Sequence, residues 1–337
     1  MRPIERVKTW GLRVALELPP GVQRVLAGPE VVVDGAPLAV DTQLMLRLQR
    51  LTGEVGAETL PIPEGRRVIR RHTRMSAGRA SVGDSRELTV AGLAARLYTP
   101  TLSRGGLLVF FHGGGFMYGD LESHDAACRF LAEHSGVRVL AVDYRLGPEQ
   151  PFPAAYDDAV AAYRWVVEHA DELDADPARL AVGGDSAGGN LAIGVAIEAA
   201  RAGLPLAFQL LVYPVTDALR DTASSRLFAD GFYLTKAFMD LAEVSYVVGT
   251  DPRDPGVSPA YAELPAGLAP AYVATAGFDP LRDEGEAYAD RLAPAGVPVQ
   301  RRRFESQIHG FFNVVGVGRS SRAANTEIAA ALRAGLS

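Results

Sequence analysis

The stretch LAVGGDSAGGNLAIGVAIEAAR (180–201) decides the fold. Leu180 to Gly183 is a short apolar run, the pattern from about Ala187 onward is helical, and Gly184-Asp185-Ser186-Ala187-Gly188 stands between them. A G-x-S-x-G that joins a strand to a helix reads as a nucleophile elbow. The turn lifts the serine hydroxyl clear of a sheet and sets it at a helix N-terminus, where the dipole favours developing negative charge. So tight a turn leaves no room for Cβ atoms two positions to either side of Ser186, hence glycine at 184 and 188. A phosphate-cradling loop fails on spacing, because neither G-x-G-x-x-G nor a P-loop lysine is present. The all-β serine proteases share a similar Gly-Asp-Ser stretch but place their His and Asp before the Ser; here nearly half of the chain still follows it.

Outward from the elbow, short apolar runs alternate with helical patterns. Strands are expected at Leu107–Phe111, Arg138–Val142, Leu180–Gly183, Ala207–Tyr213, Ala271–Ala276 and Val299–Phe304, with amphipathic stretches at Asp157–His169, Leu191–Arg201 and Asp283–Leu292. Such alternation predicts an α/β fold, a mostly parallel central sheet with helices on both faces. Glu87–Val90 and Ala94–Tyr98 add a short antiparallel edge. Two segments break the pattern: residues 1–78, helical in pattern, and 215–252, with an amphipathic stretch from Thr235 to Val248. Neither can hold a core alone. Together they are expected to form a helical cap over a catalytic domain spanning 79–337, whose motif-bearing core runs over 107–314, at the sheet end where such folds bind ligands.

Acyl-transfer chemistry needs donors aimed at an oxyanion. His112-Gly113-Gly114-Gly115-Phe116 directly follows the strand Leu107–Phe111, and three glycines let backbone N–H groups turn toward a ligand. Gly114, Gly115 and Ala187 are the candidate oxyanion-hole donors. His309, on a loop after the last strand, is the candidate base; Asp279, just past Ala271–Ala276, is the candidate acid. Asp283 is its rival, but with Glu286 it has the spacing of a capping box. His112 is tied to the glycine loop and suits a structural hydrogen bond. His72, His124, His134 and His169 fall on helical or polar stretches and are expected to be exposed.

The motifs HGGGF (112–116), DYRLGPEQPFPAAYDD (143–158), GGDSAGGN (183–190), YPVTD (213–217), SPAYA (258–262), GFDPLRDEG (277–285) and HGFF (309–312) occur together and in order. In them the chain resembles the hormone-sensitive lipase-like family of microbial carboxylesterases, which have the α/β-hydrolase fold. The resemblance covers about residues 107–314. It implies the triad Ser186, Asp279 and His309, matching the reading of the residues, and an N-terminal helical cap completed by the segment after YPVTD. Gly147 stands where that family usually has alanine, and Ser306 where it usually has glycine.

Ester hydrolysis through a serine acyl-enzyme is therefore expected, on short- to medium-chain esters as the resemblance implies, with no cofactor or metal. An amidase, lactonase or carbamate hydrolase would share the triad. A non-catalytic receptor on the same fold is disfavoured because all three members are present. Phe116, Tyr118 and Phe232 are candidate pocket residues; they could equally be cap core.

Composition sets the remaining bounds. At 337 residues with 48% hydrophobic and 22% charged side chains, the chain can bury a core unaided. The single cysteine, Cys128, permits no intrachain disulfide. A net charge of −6 exerts no overall pull toward nucleic acid or anionic lipid. The densest basic cluster, Arg66, Arg67, Arg70, Arg71 and Arg74, reads as a solvated face paired with acids. No apolar run reaches the roughly 18 residues of a membrane span, and Gly11–Leu18, interrupted by Arg13 and Glu17, makes a poor signal-peptide core. A cytoplasmic protein acting on a small-molecule ester is expected, and an exposed sheet edge would allow a homodimer.

Overall fold

Eight strands form one sheet in the computed structural model, which describes residues 3–78 and 80–337. They are β1 (Asp84–Val90), β2 (Leu93–Thr99), β3 (Leu107–Phe111), β4 (Arg138–Val142), β5 (Leu180–Asp185), β6 (Phe208–Val212), β7 (Ala271–Phe278) and β8 (Val299–Ile308). Their order across the sheet is β1-β2-β4-β3-β5-β6-β7-β8. The pairs β1/β2 and β2/β4 are antiparallel, and every other pair is parallel.

The parallel strands β3 to β7 are buried along their whole length, so both faces are apolar and successive side chains serve different cores. Val109, Phe111, Val182 and Val273 pack on α6 (Ala154–Glu168), α7 (Ala187–Ala202) and α10 (Arg282–Leu292). Leu108, Phe110, Ala181 and Ala274 pack on α5 (Leu121–Ser135) and α11 (Ser320–Gly335). Burying each such large side chain contributes about 1.5–3 kcal/mol. The C-terminal ends of the parallel strands are thereby held on a packed base.

The N-terminal segment supplies α1 (Pro3–Glu17), α2 (Pro20–Ala27), α3 (Val40–Leu51), a 3₁₀ turn (Ala57–Thr59) and α4 (Ile62–Ser76); the insertion after β6 supplies α8 (Ala223–Leu227) and α9 (Lys236–Tyr246). The 3₁₀ turn reaches α9, where Thr235 Oγ1 donates to Glu58 Oε1 at 3.0 Å. Arg79, where the expected boundary between cap and catalytic domain falls, lies with residues 1 and 2 outside the described residues.

The helical expectation for the N-terminal segment misses a two-stranded hairpin, Val32–Val33 with Ala36–Pro37. Asp34 and Gly35 both have positive φ, as a two-residue I′ hairpin turn requires. The chain then docks beside the last strand: Ala39 N–H donates to the carbonyl of Ser306 at 3.0 Å. Ser306 sits where β8 shifts register between Phe304 and Ile308, three residues before His309.

The five arginines of α4 all face acids. Arg66 pairs with Glu149 at 2.7 Å, Arg67 with Glu64, Arg70 with Asp120, Arg71 with Glu54 and Arg74 with Glu122. Exposed pairs of this kind contribute little singly. Arg66 does more, donating also to the carbonyls of Met117 and Gly147, each at 2.9 Å, and so ties α4 to the segment after the glycine loop.

Candidate active site

Ser186 follows β5 and occupies the N-cap position of α7 with φ +56° and ψ −119°, a strained conformation for a residue with a Cβ. Its surroundings enforce the turn. A Cβ on Gly184 would stand 2.4 Å from the carbonyl oxygens of Phe111 and Gly188, and one on Gly188 would stand 1.9 Å from that of Phe111. The backbone is pinned on both sides, with Ser186 N–H donating to Val212 O at 2.9 Å and Val215 N–H donating to Ser186 O at 3.2 Å.

Asp279 comes directly after β7 and is wholly buried; its Oδ1 accepts the Leu281 N–H at 2.9 Å. His309 comes directly after β8. His309 Nδ1 lies 2.8 Å from Asp279 Oδ2, and His309 Nε2 lies 3.0 Å from Ser186 Oγ. A carboxylate facing Nδ1 fixes the tautomer with its proton there, leaving Nε2 to accept from the serine hydroxyl. The ring of Tyr213 packs against the imidazole, with centroids 4.5 Å apart.

Asp283 stands apart from this line. The expected capping box does not form, because α10 begins at Arg282 and has no side-chain cap. Asp283 instead accepts the Ser224 N–H at 2.7 Å and pairs with Arg282, tying α8 to the start of α10, while Glu286 pairs with Arg303.

The glycine loop is left-handed at Gly114 (φ +124°) and Gly115 (φ +61°). Among the described residues no protein acceptor takes the N–H of Gly114, Gly115 or Ala187. His112 is buried; Nδ1 lies 2.9 Å from the carbonyl of Gly113 and the ring stacks on Tyr144. Burial and the neighbouring His124 lower its pKa to about 4, so it stays neutral and serves the loop structurally.

Sequence reasoning missed the support beneath this loop. Asp185 Oδ1 accepts the Gly113 N–H at 2.8 Å, and His124 Nε2 lies 3.2 Å from the same oxygen. On the other oxygen, Asn313 Nδ2 donates at 3.3 Å and the Tyr213 hydroxyl at 3.4 Å. Burial alone would raise the carboxyl, but His124 and the Gly113 N–H hold it below the ordinary carboxylate range. His124 is therefore buried, not exposed as its helical setting suggested, because α5 turns it under the sheet end. His72 is half-buried on α4, 3.4 Å from Glu54, and His169 is also half-buried; His134 is exposed. Asp185 carried a signal as the residue before the elbow serine. His124 carried none.

Three spaces lie about the site, two of them lined by Ser186. A gorge of about 270 Å³ is lined by Gly113, Gly114, Gly115, Ser186, Tyr233, Phe238 and His309. A recess of about 70 Å³ shares Gly115, Ser186 and Phe238 with it, and a cavity of about 400 Å³ shares Tyr233, His309 and Gly310. Phe116 lines the recess. Tyr118 and Phe232 are not brought to these walls: Tyr118 is buried, donating to Ala57 O at 3.2 Å and packing on Phe238, and Phe232 packs on Phe228 and Phe278. Both serve packing, and the aromatic walls come instead from their neighbours Tyr233 and Phe238. Among the described residues no group of three or more His, Cys, Asp or Glu is placed to hold a metal ion.

A mostly parallel sheet with a serine elbow after its fifth strand defines an α/β hydrolase. A family model described as alpha/beta hydrolase fold matches residues 108–313, and the chain belongs to that family. It is 45% identical to the carboxylic ester hydrolase LipN of Mycobacterium tuberculosis, over 97% of this chain and 91% of that protein. Esterase LipI of the same organism is 41% identical, over 72% of this chain and 78% of its own length. Among solved structures, the ester hydrolase EH1AB1 from the metagenome of Lake Arreo, in complex with a bipyridine phosphonate derivative, superposes with a TM-score of 0.83. It is 41% identical, covering 88% of this chain and 98% of that one. No helix among the described residues is long and apolar enough to cross a membrane.

Proposed function

We propose that the protein is a carboxylic ester hydrolase that works through an acyl-enzyme on Ser186. The observation that carries this reading is the unbroken line from Asp279 Oδ2 through His309 to Ser186 Oγ, with contacts of 2.8 and 3.0 Å, in the wall of a gorge. The ester-hydrolase names of its relatives support the same activity.

In this mechanism His309 Nε2 takes the hydroxyl proton as Ser186 Oγ attacks the ester carbonyl. Asp279 holds the imidazole in its tautomer and stabilises the imidazolium. The oxyanion is received by the N–H groups of Gly114, Gly115 and Ala187, each donor supplying about 10²–10³ in turnover. His309 then protonates the leaving alcohol. Water, deprotonated by the same nitrogen, releases the acid.

The test is Ser186→Ala assayed on p-nitrophenyl butyrate. A loss of at least about 10³-fold in kcat, as removal of a triad serine produces elsewhere, supports the role. Near-normal turnover in the variant overturns it.

A further inference from the structure

We propose that the outer face of α1 and α2 docks the protein on an anionic lipid surface. More than half of the large apolar side chains left exposed among the described residues fall within the first 55 positions of the chain. Five of them share two helices: Trp10 and Val14, one turn apart on α1, and Val22, Val25 and Leu26 on α2. Trp10 is 68% exposed and Val25 81%, whereas Leu16 and Ala27, on the other side of the same helices, are buried against Leu44 of α3 and Val317. A helix that only covers a core turns polar groups outward. These two carry apolar groups on both sides, and packing within the chain accounts for the inner set alone.

The face is held in place from behind. Gln23 Nε2 donates to the Leu16 carbonyl at 2.7 Å, joining α2 to α1 across the short link at Leu18 and Pro19. Gln43 Nε2 donates to the Ala27 carbonyl at 3.1 Å, joining α3 to α2.

Charge selects the partner. Residues 1–51 hold seven basic and five acidic side chains, a net of +2 in a chain of net charge −6. Most of these acids are engaged elsewhere: Glu17 pairs with Arg322, Asp34 pairs with Arg282, and Asp41 accepts the N–H groups of Arg319 and Ser320. Glu30 is the one described acid of this segment without a partner. Arg13, Arg24, Arg47 and Arg50 have no acid partner among the described residues. Arg24 stands next to Val25 on α2, and Arg47 reaches the end of α2 at Gly28. Free guanidinium groups on the same helices as exposed indole and aliphatic side chains match a layer of anionic headgroups over acyl chains, where the arginines meet phosphate and the apolar groups enter the layer. A second copy of this chain would instead set these arginines against their equals, because a two-fold interface repeats one patch on both partners.

Flotation with vesicles tests the docking. Vesicles containing phosphatidylglycerol are expected to carry about tenfold more of the full chain than vesicles of phosphatidylcholine alone, and about 1 M salt should release most of it. The chain has two tryptophans, so Trp165→Phe leaves Trp10 as the single reporter; its emission should move to shorter wavelength with the anionic vesicles only. Trp10→Glu with Val25→Glu, and separately Arg24→Glu with Arg47→Glu, should each lower binding about tenfold. Turnover of p-nitrophenyl butyrate in free solution should stay unchanged in both, since none of these side chains lines the gorge. Equal binding to both vesicle types, or binding that either variant leaves intact, would overturn the proposal. So would absence of binding, including the case in which Trp10→Glu with Val25→Glu splits a dimer in solution and thereby gives the face to a second copy.

Discussion

Asp185 Oδ1 accepts the Gly113 N–H at 2.8 Å, so the residue beside the nucleophile holds the loop expected to stabilise the oxyanion. One buried carboxylate thus couples the elbow to the glycine loop, with His124 on the same oxygen.

Asp185→Asn keeps the shape and removes the charge. Charged hydrogen bonds of this kind are worth about 1.5–3 kcal/mol, which corresponds to roughly 10–100-fold in rate if the loop is displaced in the transition state. Steady-state kinetics on p-nitrophenyl butyrate should show kcat reduced by that factor, with KM changed little. Unchanged kcat together with a lowered melting temperature would assign Asp185 to stability alone.

The resembled family usually carries alanine at Gly147, and the structure gives a reason for glycine here. A Cβ at 147 would stand 2.5 Å from the backbone carbonyl of Ser245, next to Tyr246 of the recess. Gly147→Ala should push the end of α9 outward, with an overpacking cost of about 1–3 kcal/mol. Thermal melting should fall by a few degrees.

Glu284 accepts N–H bonds from Thr216 at 2.8 Å and Asp217 at 3.2 Å, and burial raises its pKa to about 8. In the unfolded chain a glutamate titrates near about 4.3. Between these values the folded state binds a proton that the unfolded state has lost, so stability falls as pH rises through that window. Denaturation midpoints at pH 5 and pH 8 should show a smaller decline for Glu284→Gln than for the native protein. An equal decline in both would remove Glu284 as the source.

The strands, the elbow turn and the positions that bring Ser186, Asp279 and His309 into one line are legible because each depends on local pattern: apolar runs for buried parallel strands, glycines two positions from Ser186, and loop positions after β7 and β8. What stayed hidden depends on partners far away in the chain. Asp283 finds Ser224, 59 residues earlier, in place of a capping partner on its own helix. His124 lies on a stretch of mixed polarity and becomes buried only because Asp185 and Asn313 meet it. The large cavity exists only where α1, α3 and α4 come over His309, a packing no periodicity encodes. The hairpin at Asp34-Gly35 was readable from its turn residues, yet strands of two residues each are too short to show alternation.

Intact-protein mass spectrometry after brief mixing with p-nitrophenyl acetate tests the covalent step most directly. The native chain should gain the mass of one acetyl group, mapped by peptide sequencing to Ser186 and lost as turnover proceeds, while Ser186→Ala gains none. An acetyl group that builds up on another residue at the rate of turnover, or that forms equally in Ser186→Ala, would contradict catalysis through Ser186.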